Sequence, residues 1–169
     1  MEEEKIEKLS ALAIAAAVMV IQLLQTFGIL HLSLPDVGVS SSCRLGQRFL
    51  WPFIHAGLLH ATLNVWCLLL VSFYYTVSFR SLALSYGVCV VIPPFVLGGA
   101  TAVGLSGMLY FVFASLSFSV QRKLYWQAWM IISLIVGFFV PGFAAGVHLY
   151  CYAAGMAYAL LTTPFRLRG

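Results

Sequence analysis

Two side chains far apart in this chain have the chemistry of a serine nucleophile and its base. Ser106 stands in the run Gly104-Leu105-Ser106-Gly107, and His148 lies much later, alone in an apolar segment. A serine hydroxyl attacks a carbonyl effectively only when a neighbouring base takes its proton. The pair is therefore a candidate for nucleophilic catalysis, provided that the fold brings the two residues together.

Further polar residues accompany this pair. His55, His60 and Asn64 interrupt one apolar stretch, and Tyr110 follows Ser106 by four residues. His60 and Asn64 are also four apart, so they share a face of a helix. A single polar residue of this kind more often makes a structural hydrogen bond between helices, which is worth about 0.6 kcal/mol in membranes. Together they predict one site built from three helices.

The acidic residues limit the mechanism that this site can use. Four glutamates precede the first apolar stretch, and Asp36 lies in a polar loop. No apolar segment carries a carboxylate that could orient His148. A Ser-His dyad is therefore expected instead of a Ser-His-Asp triad.

The composition indicates that lipid surrounds the elements that carry these residues. Of 169 residues, 62% are hydrophobic and 8% are charged, against roughly 25% charged in soluble domains. A transmembrane helix needs about 20 apolar residues, so the chain has room for six spans and little else. We therefore predict one all-α membrane domain over 1–169. Its six expected spans are 9–30, 51–75, 82–97, 106–119, 124–140 and 145–161.

Basic residues predict the orientation of these spans. Seven of the nine Lys and Arg residues fall on one side, and only Arg44 and Arg48 fall on the other. The positive-inside rule then places both termini in the cytoplasm, including segment 1–8 and tail 164–169, with an external loop at 31–50. No basic cluster is dense enough for nucleic acid. The acidic start and the lack of a small-residue cleavage site predict a retained first helix.

Local signals refine three parts of this layout. Turn-forming residues predict a loop over 31–47, and the glycine-rich segment 98–101 is expected to re-enter the protein. The fourth helix is short for a bilayer, so its start at Ser106 is expected to lie below the outer surface. The cysteines have no CxxC spacing, so we expect packing roles and no metal site or cofactor: Cys43, Cys67, Cys89 and Cys151.

Three motifs resemble those of the rhomboid family of intramembrane serine proteases. Residues 53–64 (FIHAGLLHATLN) resemble the family's second-helix motif, and residues 104–107 with Tyr110 resemble its nucleophile motif. Residues 146–155 resemble its sixth-helix motif. The order of the motifs and the six expected spans agree with a minimal, bacterial type of this family.

The resemblance implies a role for each site residue. Ser106 is the expected nucleophile and His148 the expected general base. His60 and Asn64, with the backbone N–H of Ser106, are expected to form the oxyanion hole. Tyr110 is expected to pack against the His148 ring and orient it.

Small residues are expected to support this arrangement. Gly104 and Gly107 expose the Ser106 hydroxyl, and Gly155 lies on a small-residue face that lets helices approach closely. Cys151 replaces a glycine that is frequent in the family, which predicts a slightly wider spacing of helices four and six. Arg48 and His55 match the family pattern only loosely.

The resemblance thus implies an intramembrane serine endopeptidase that cleaves transmembrane or juxtamembrane segments of membrane proteins through an acyl-enzyme. The expected location is the bacterial inner membrane, with helix five as a lateral gate by family analogy. No feature indicates an oligomeric state. The main alternative is a catalytically inactive rhomboid-like protein that binds membrane clients. A small channel and a soluble hydrolase are weaker alternatives, because no polar path reaches both faces and the Gly-x-Ser-x-Gly elbow is absent.

Overall fold

The computed structural model describes residues 2–97, 101–140 and 142–166, and this part of the chain is all-helical. Within it there are eight α-helices, two short 3-10 helices and no strand. The 3-10 helices cover Trp51–Phe53 and Pro94–Leu97. The α-helices are α1 (Glu2–Thr26), α2 (Leu34–Val37), α3 (Leu45–Leu50), α4 (Leu58–Tyr74), α5 (Phe79–Val90), α6 (Ser106–Ser115), α7 (Lys123–Gly137) and α8 (Ala145–Arg166).

The prediction of one continuous helix over 51–75 is wrong. A 3-10 turn at Trp51–Phe53 is followed by non-helical backbone, and α4 begins only at Leu58. The helices on either side of this break are bent by 77°. Pro52 cannot donate a backbone hydrogen bond to a continuing helix, and Gly57 precedes α4 in an extended conformation. His55 therefore lies in the break and not on the helix.

Other helix ends differ from the prediction for local reasons. α1 stops at Thr26 because the chain turns at Gly28, whose φ is +69°. α5 begins early because the Ser78 side chain accepts a hydrogen bond from the Ser81 N–H. It ends at Val90, ahead of Pro93 and its neighbour. α8 continues to Arg166, so residues 164–166 of the predicted tail are helical.

The expected loop after α1 is partly helical, since it contains α2 and α3. The Gln47 amide donates to the carbonyls of Pro35 at 2.8 Å and Gly38 at 3.0 Å. Val39 and Ala102 form an isolated antiparallel bridge that ties this loop to the approach to α6. The rest of the predicted re-entrant segment, 98–100, and the end of the tail, 167–169, lie outside the described residues.

α6 occupies the centre of the fold. Eight of its residues from Gly107 onward are buried, and it packs against α4, α5 and α8. α1 covers the other side of α4 with small residues such as Ala11 and Ala15. Large apolar side chains point outward from the peripheral helices, including Leu59 as well as Leu124 at 88% exposure, and Phe139 in the turn after α7 is 80% exposed.

Among the described helices, α1 is the one that is long and apolar enough to cross a membrane by itself. A helix of this kind near an N-terminus fits either a membrane span or a signal sequence by length and composition. The bent pair Leu45–Phe53 and Leu58–Tyr74 passes the same test if it is counted as one span. α5 and α6 are apolar but shorter.

Candidate active site

Ser106 and His148 form a hydrogen-bonded pair where α6 meets α8. Ser106 is the first residue of α6, and its Oγ lies 2.7 Å from Nε2 of His148. His148 sits near the start of α8 and is 3% exposed. With the ring proton on Nδ1, the serine hydroxyl donates to Nε2, which is the arrangement that a general base requires. The fold thus places these two residues in direct contact.

Aromatic rings hold the imidazole on two sides. Tyr110 stacks on the ring with centroids 4.6 Å apart and planes at 23°. Phe143 meets it edge-on at 4.3 Å and 61°. The buried Nδ1 has no hydrogen-bond partner in the described part of the chain. Within the described residues, the His148 ring is therefore held by aromatic packing, with no carboxylate bonded to its Nδ1.

Gly104 brings two further predicted residues to the start of α6. Its φ of +110° lies in a region that residues with a side chain rarely adopt. A Cβ added there would lie 2.9 Å from Cε1 of His60 and 3.4 Å from Nδ2 of Asn64. Both side chains thus pack directly against the backbone two residues before Ser106. Only glycine fits this turn without displacing them.

Asn64 presents a free donor at this position. Its side chain is 7% exposed, and its Nδ2 has no hydrogen-bond partner among the described residues. A buried, unpaired amide donor costs free energy comparable to a lost hydrogen bond. Such a group is expected where an acceptor arrives only during function. The N-terminus of α6 adds unpaired backbone N–H groups and a positive dipole end at the same place.

His55 has a role that the sequence did not indicate. Its Nε2 accepts a hydrogen bond from the backbone N–H of Leu105 at 3.2 Å, and its ring meets the edge of the His60 ring at 4.9 Å. The residue thereby fixes both the turn before Ser106 and a neighbouring polar side chain. The break at Pro52 and Gly57 makes this reach possible, because His55 is free of the helix.

The Cys151 side chain leaves Ser106 and His148 in contact. The closest approach of the two helices is at Gly155, where an added Cβ would lie 2.8 Å from Cβ of Ala114. At Gly107 an added Cβ would lie 3.1 Å from Sγ of Cys89 and 3.4 Å from Sγ of Cys151. The thiol fills the space beside Gly107, and the serine-histidine contact remains at hydrogen-bond distance. The expected wider spacing of the two helices stays a prediction, and the Ser106–His148 distance is 2.7 Å with Cys151 in place.

Arg48 supports the site from a distance. Its Nη1 donates to the carbonyls of Ile92 at 2.7 Å and Val90 at 3.3 Å, where α5 ends. A cation at a helix C-terminus interacts favourably with the unpaired carbonyls there. Trp51 Nε1 donates to the carbonyl of Cys89 at 3.3 Å. These bonds fix the segment before the break onto α5.

Two residues near the site carried no sequence signal. Phe143 looked like one of many aromatic residues, and Ser133 like a small residue in an apolar helix. Ser133 accepts a hydrogen bond from the Tyr110 hydroxyl at 3.1 Å. Ser133 joins α7 to α6, whereas Phe143 contacts His148 from the loop before α8, so no spacing along one helix could have revealed either contact.

The predicted site residues thus meet near the start of α6. Gly155 lies further along α8, beyond His148. No protein-family model matches the chain, and no curated protein matches it in sequence.

Proposed function

We propose that this chain is a rhomboid-type intramembrane serine endopeptidase that uses Ser106 and His148 as a dyad. The observation that carries the proposal is the 2.7 Å contact between Ser106 Oγ and His148 Nε2 at the start of a buried helix. The free Nδ2 donor of Asn64 on the neighbouring backbone supports it. A purely structural Ser-His bond would not account for that unpaired donor.

The proposed reaction begins with attack of Ser106 Oγ on a peptide carbonyl while His148 Nε2 takes the hydroxyl proton. The carbonyl oxygen becomes an oxyanion that accepts hydrogen bonds from Asn64 Nδ2, the His60 ring and the Ser106 backbone N–H. One such donor is worth about 2.7–4 kcal/mol in the transition state. The imidazolium then gives its proton to the leaving amine, and an acyl-enzyme remains on Ser106.

Water must reach the acyl-enzyme to complete the cycle. A polar cavity of about 290 Å³ lies beside the break, lined by residues that include Gln22, Gln25, His31 and His55. The Oε1 atoms of both glutamines are buried and have no hydrogen-bond partner among the described residues. Polar lining and room for several molecules are the conditions under which buried water is stable. This cavity is the proposed source of the hydrolytic water.

The distribution of apolar surface supports a multi-pass membrane arrangement. The outward side chains of α4 and α7 are large and apolar, including Trp66, Leu124 and Ile131. Lys5, Arg80 and Lys123 lie in the first turns of α1, α5 and α7, at the helix ends that the proposal places in the cytoplasm. α6 has ten residues, about 15 Å at 1.5 Å per residue, so its start lies inside the bundle. A substrate helix must unwind locally there to expose its carbonyls.

Labelling by a fluorophosphonate probe tests the proposal directly. The purified full-length protein in detergent is expected to be labelled at Ser106, and the label is expected to vanish in Ser106→Ala and fall sharply in His148→Ala. Ser115→Ala is the matched control, because that hydroxyl bonds only to the carbonyl of Val112 in its own helix. A folded wild-type protein that neither labels nor cleaves a model transmembrane substrate would favour the inactive relative.

A further inference from the structure

α7 is mostly exposed, and it contacts both of the aromatic rings that pack against His148. Its buried residues are Leu134 and Gly137, in its second half. Both of the rings that hold His148 are nevertheless in contact with this part of α7. α7 therefore contacts His148 indirectly, through the rings of Tyr110 and Phe143.

Ser133 makes the first of these contacts. The Tyr110 hydroxyl donates to Ser133 Oγ at 3.1 Å, while Ser133 donates its own proton to the carbonyl of Met130 at 2.8 Å. The second bond fixes the serine hydroxyl, so that an oxygen lone pair faces Tyr110. The face of the Tyr110 ring stacks on the His148 imidazole. Ser133 thus fixes where the stacked ring sits.

Gly137 makes the second contact. A Cβ added at Gly137 would overlap the ring of Phe143, so the glycine lets that ring pack directly on the α7 backbone. Phe143 in turn meets the edge of the His148 ring. Stacking and edge contacts are each worth about 0.5–1.5 kcal/mol. Those two rings are the main constraint on an imidazole whose Nδ1 has no acceptor in the described part of the chain.

We infer that α7 positions the general base, with Ser133 acting through Tyr110 on His148 as a positioning residue. This inference rests on the proposed function, since a base has meaning only in the dyad. It adds that the dyad is aligned only while α7 is seated against α6. Displacement of α7 would free the phenol, widen the rotational range of the imidazole and slow proton transfer from Ser106.

The test uses the rate at which a small fluorophosphonate labels the full-length protein. The saturating rate reports the dyad, whereas the half-saturating concentration reports entry and binding of the probe. Ser133→Ala and Tyr110→Phe are each expected to lower the saturating rate about 3- to 10-fold, the size of one neutral hydrogen bond. The half-saturating concentration is expected to stay unchanged.

Two further variants separate positioning from general loosening. Ser133→Thr keeps a hydroxyl and is expected to restore the wild-type rate within about twofold. The double variant Ser133→Ala/Tyr110→Phe is expected to be no slower than either single variant, because both remove the same bond. Ser115→Ala, which lacks an interhelical partner, is expected to match the wild type. Thermal unfolding checks that all variants remain folded.

The outcomes are distinguishable. A wild-type protein that labels, together with a Ser133→Ala variant that labels at the same saturating rate, overturns the inference and leaves the protease proposal standing. Fully additive losses in the double variant also overturn it. A folded wild-type protein that does not label at all removes the proposed function and this inference together.

Discussion

The two helix contacts around His148 differ in kind. Between α6 and α8 the backbones themselves meet, at Gly155, with Ala114 and Cys151 as small neighbours. Between α6 and α7 the contact is made by long side chains and single hydrogen bonds, as in Tyr110 with Ser133. Backbone contact leaves little room for adjustment, whereas bonds between side chain tips break and reform easily. The distance within the dyad is thus set by the first contact and its orientation by the second.

This comparison fits the work that each side has to do in the proposed function. A nucleophile and its base must keep their separation through two transfer steps. A substrate segment must enter from the bilayer, and its entry needs a helix at the edge of the bundle that can move aside. α7 is the helix with the fewest buried residues among those around α6, which supports the expectation that the lateral gate is on this side.

The largest effect is expected for a variant that moves α6 and α8 apart. Gly155→Ala adds a Cβ that would lie 2.8 Å from Cβ of Ala114 and 2.9 Å from Cα of Phe111. Overpacking of this kind costs about 1–3 kcal/mol, and a shift of 1 Å in a catalytic pair lowers activity about 100-fold. Labelling at Ser106 is expected to fall by that factor or more, with a lower melting temperature.

Gly87→Ala is the matched control for this variant. Gly87 lies within α5, and a Cβ added there meets nothing within 4 Å. Alanine is a better helix former than glycine by roughly 1 kcal/mol. Gly87→Ala is expected to label like the wild type and to melt no lower. If Gly155→Ala behaves in the same way, the close backbone contact does not set the dyad distance.

A second prediction concerns the fixed side alone. Asn64→Ala removes the unpaired Nδ2 donor beside Gly104. Loss of one oxyanion donor is expected to lower kcat about 100-fold, with KM little changed, because the donor acts in the transition state. The melting temperature is expected to hold or rise, since the buried donor has no protein partner. Steady-state cleavage of a model transmembrane peptide and a thermal melt measure the two effects.

The opposite pattern would contradict the role given to Asn64. A large drop in melting temperature with kcat near the wild-type value would make the residue a structural element. Leu63→Ala provides the control on the same helix, because Leu63 is 55% exposed. Its truncation removes outward apolar surface without touching Gly104.

The sequence predicted the residues of the site better than the backbone that carries them. Ser106, His148 and Tyr110 are marked by polarity or by four-residue spacing in apolar segments, so their meeting could be foreseen. The break between Trp51 and α4 could not, because the apolar composition continues across it. Pro52 and Gly57 signal the break only when each is considered for its backbone effect. The helix bounds of α7 were predicted within three residues at each end.

Some contacts between separate elements were also not predicted. Ser133 on α7 contacts Tyr110 on α6, and Phe143 contacts His148 from the loop before α8. Both residue types are common in apolar segments, so the sequence carries no sign of either contact. Similarly, Arg48 could be placed in the external loop from its charge. Its attachment to the carbonyls of Val90 and Ile92 depends on where α5 ends. α5 ends at Val90, ahead of Pro93 and Pro94, whereas the expected span ran on to residue 97.

The smallest expected effect lies at the far end of α7 and sharpens the distinction between orientation and attachment. Trp126 Nε1 donates to the carbonyl of Phe113 at 3.0 Å, near the C-terminal end of α6 and away from Ser106. Trp126→Phe removes this one bond, worth about 0.5–1.5 kcal/mol, and keeps an aromatic ring against Tyr75 and Phe113. Amide hydrogen exchange in the first half of α7 is expected to rise about 2- to 10-fold, since local opening reports local stability. The saturating rate of fluorophosphonate labelling is expected to stay at the wild-type value, because Ser133 still holds Tyr110. A fall in that rate as large as in Ser133→Ala would mean that α7 acts on the dyad as one rigid body and not through its contact with Tyr110.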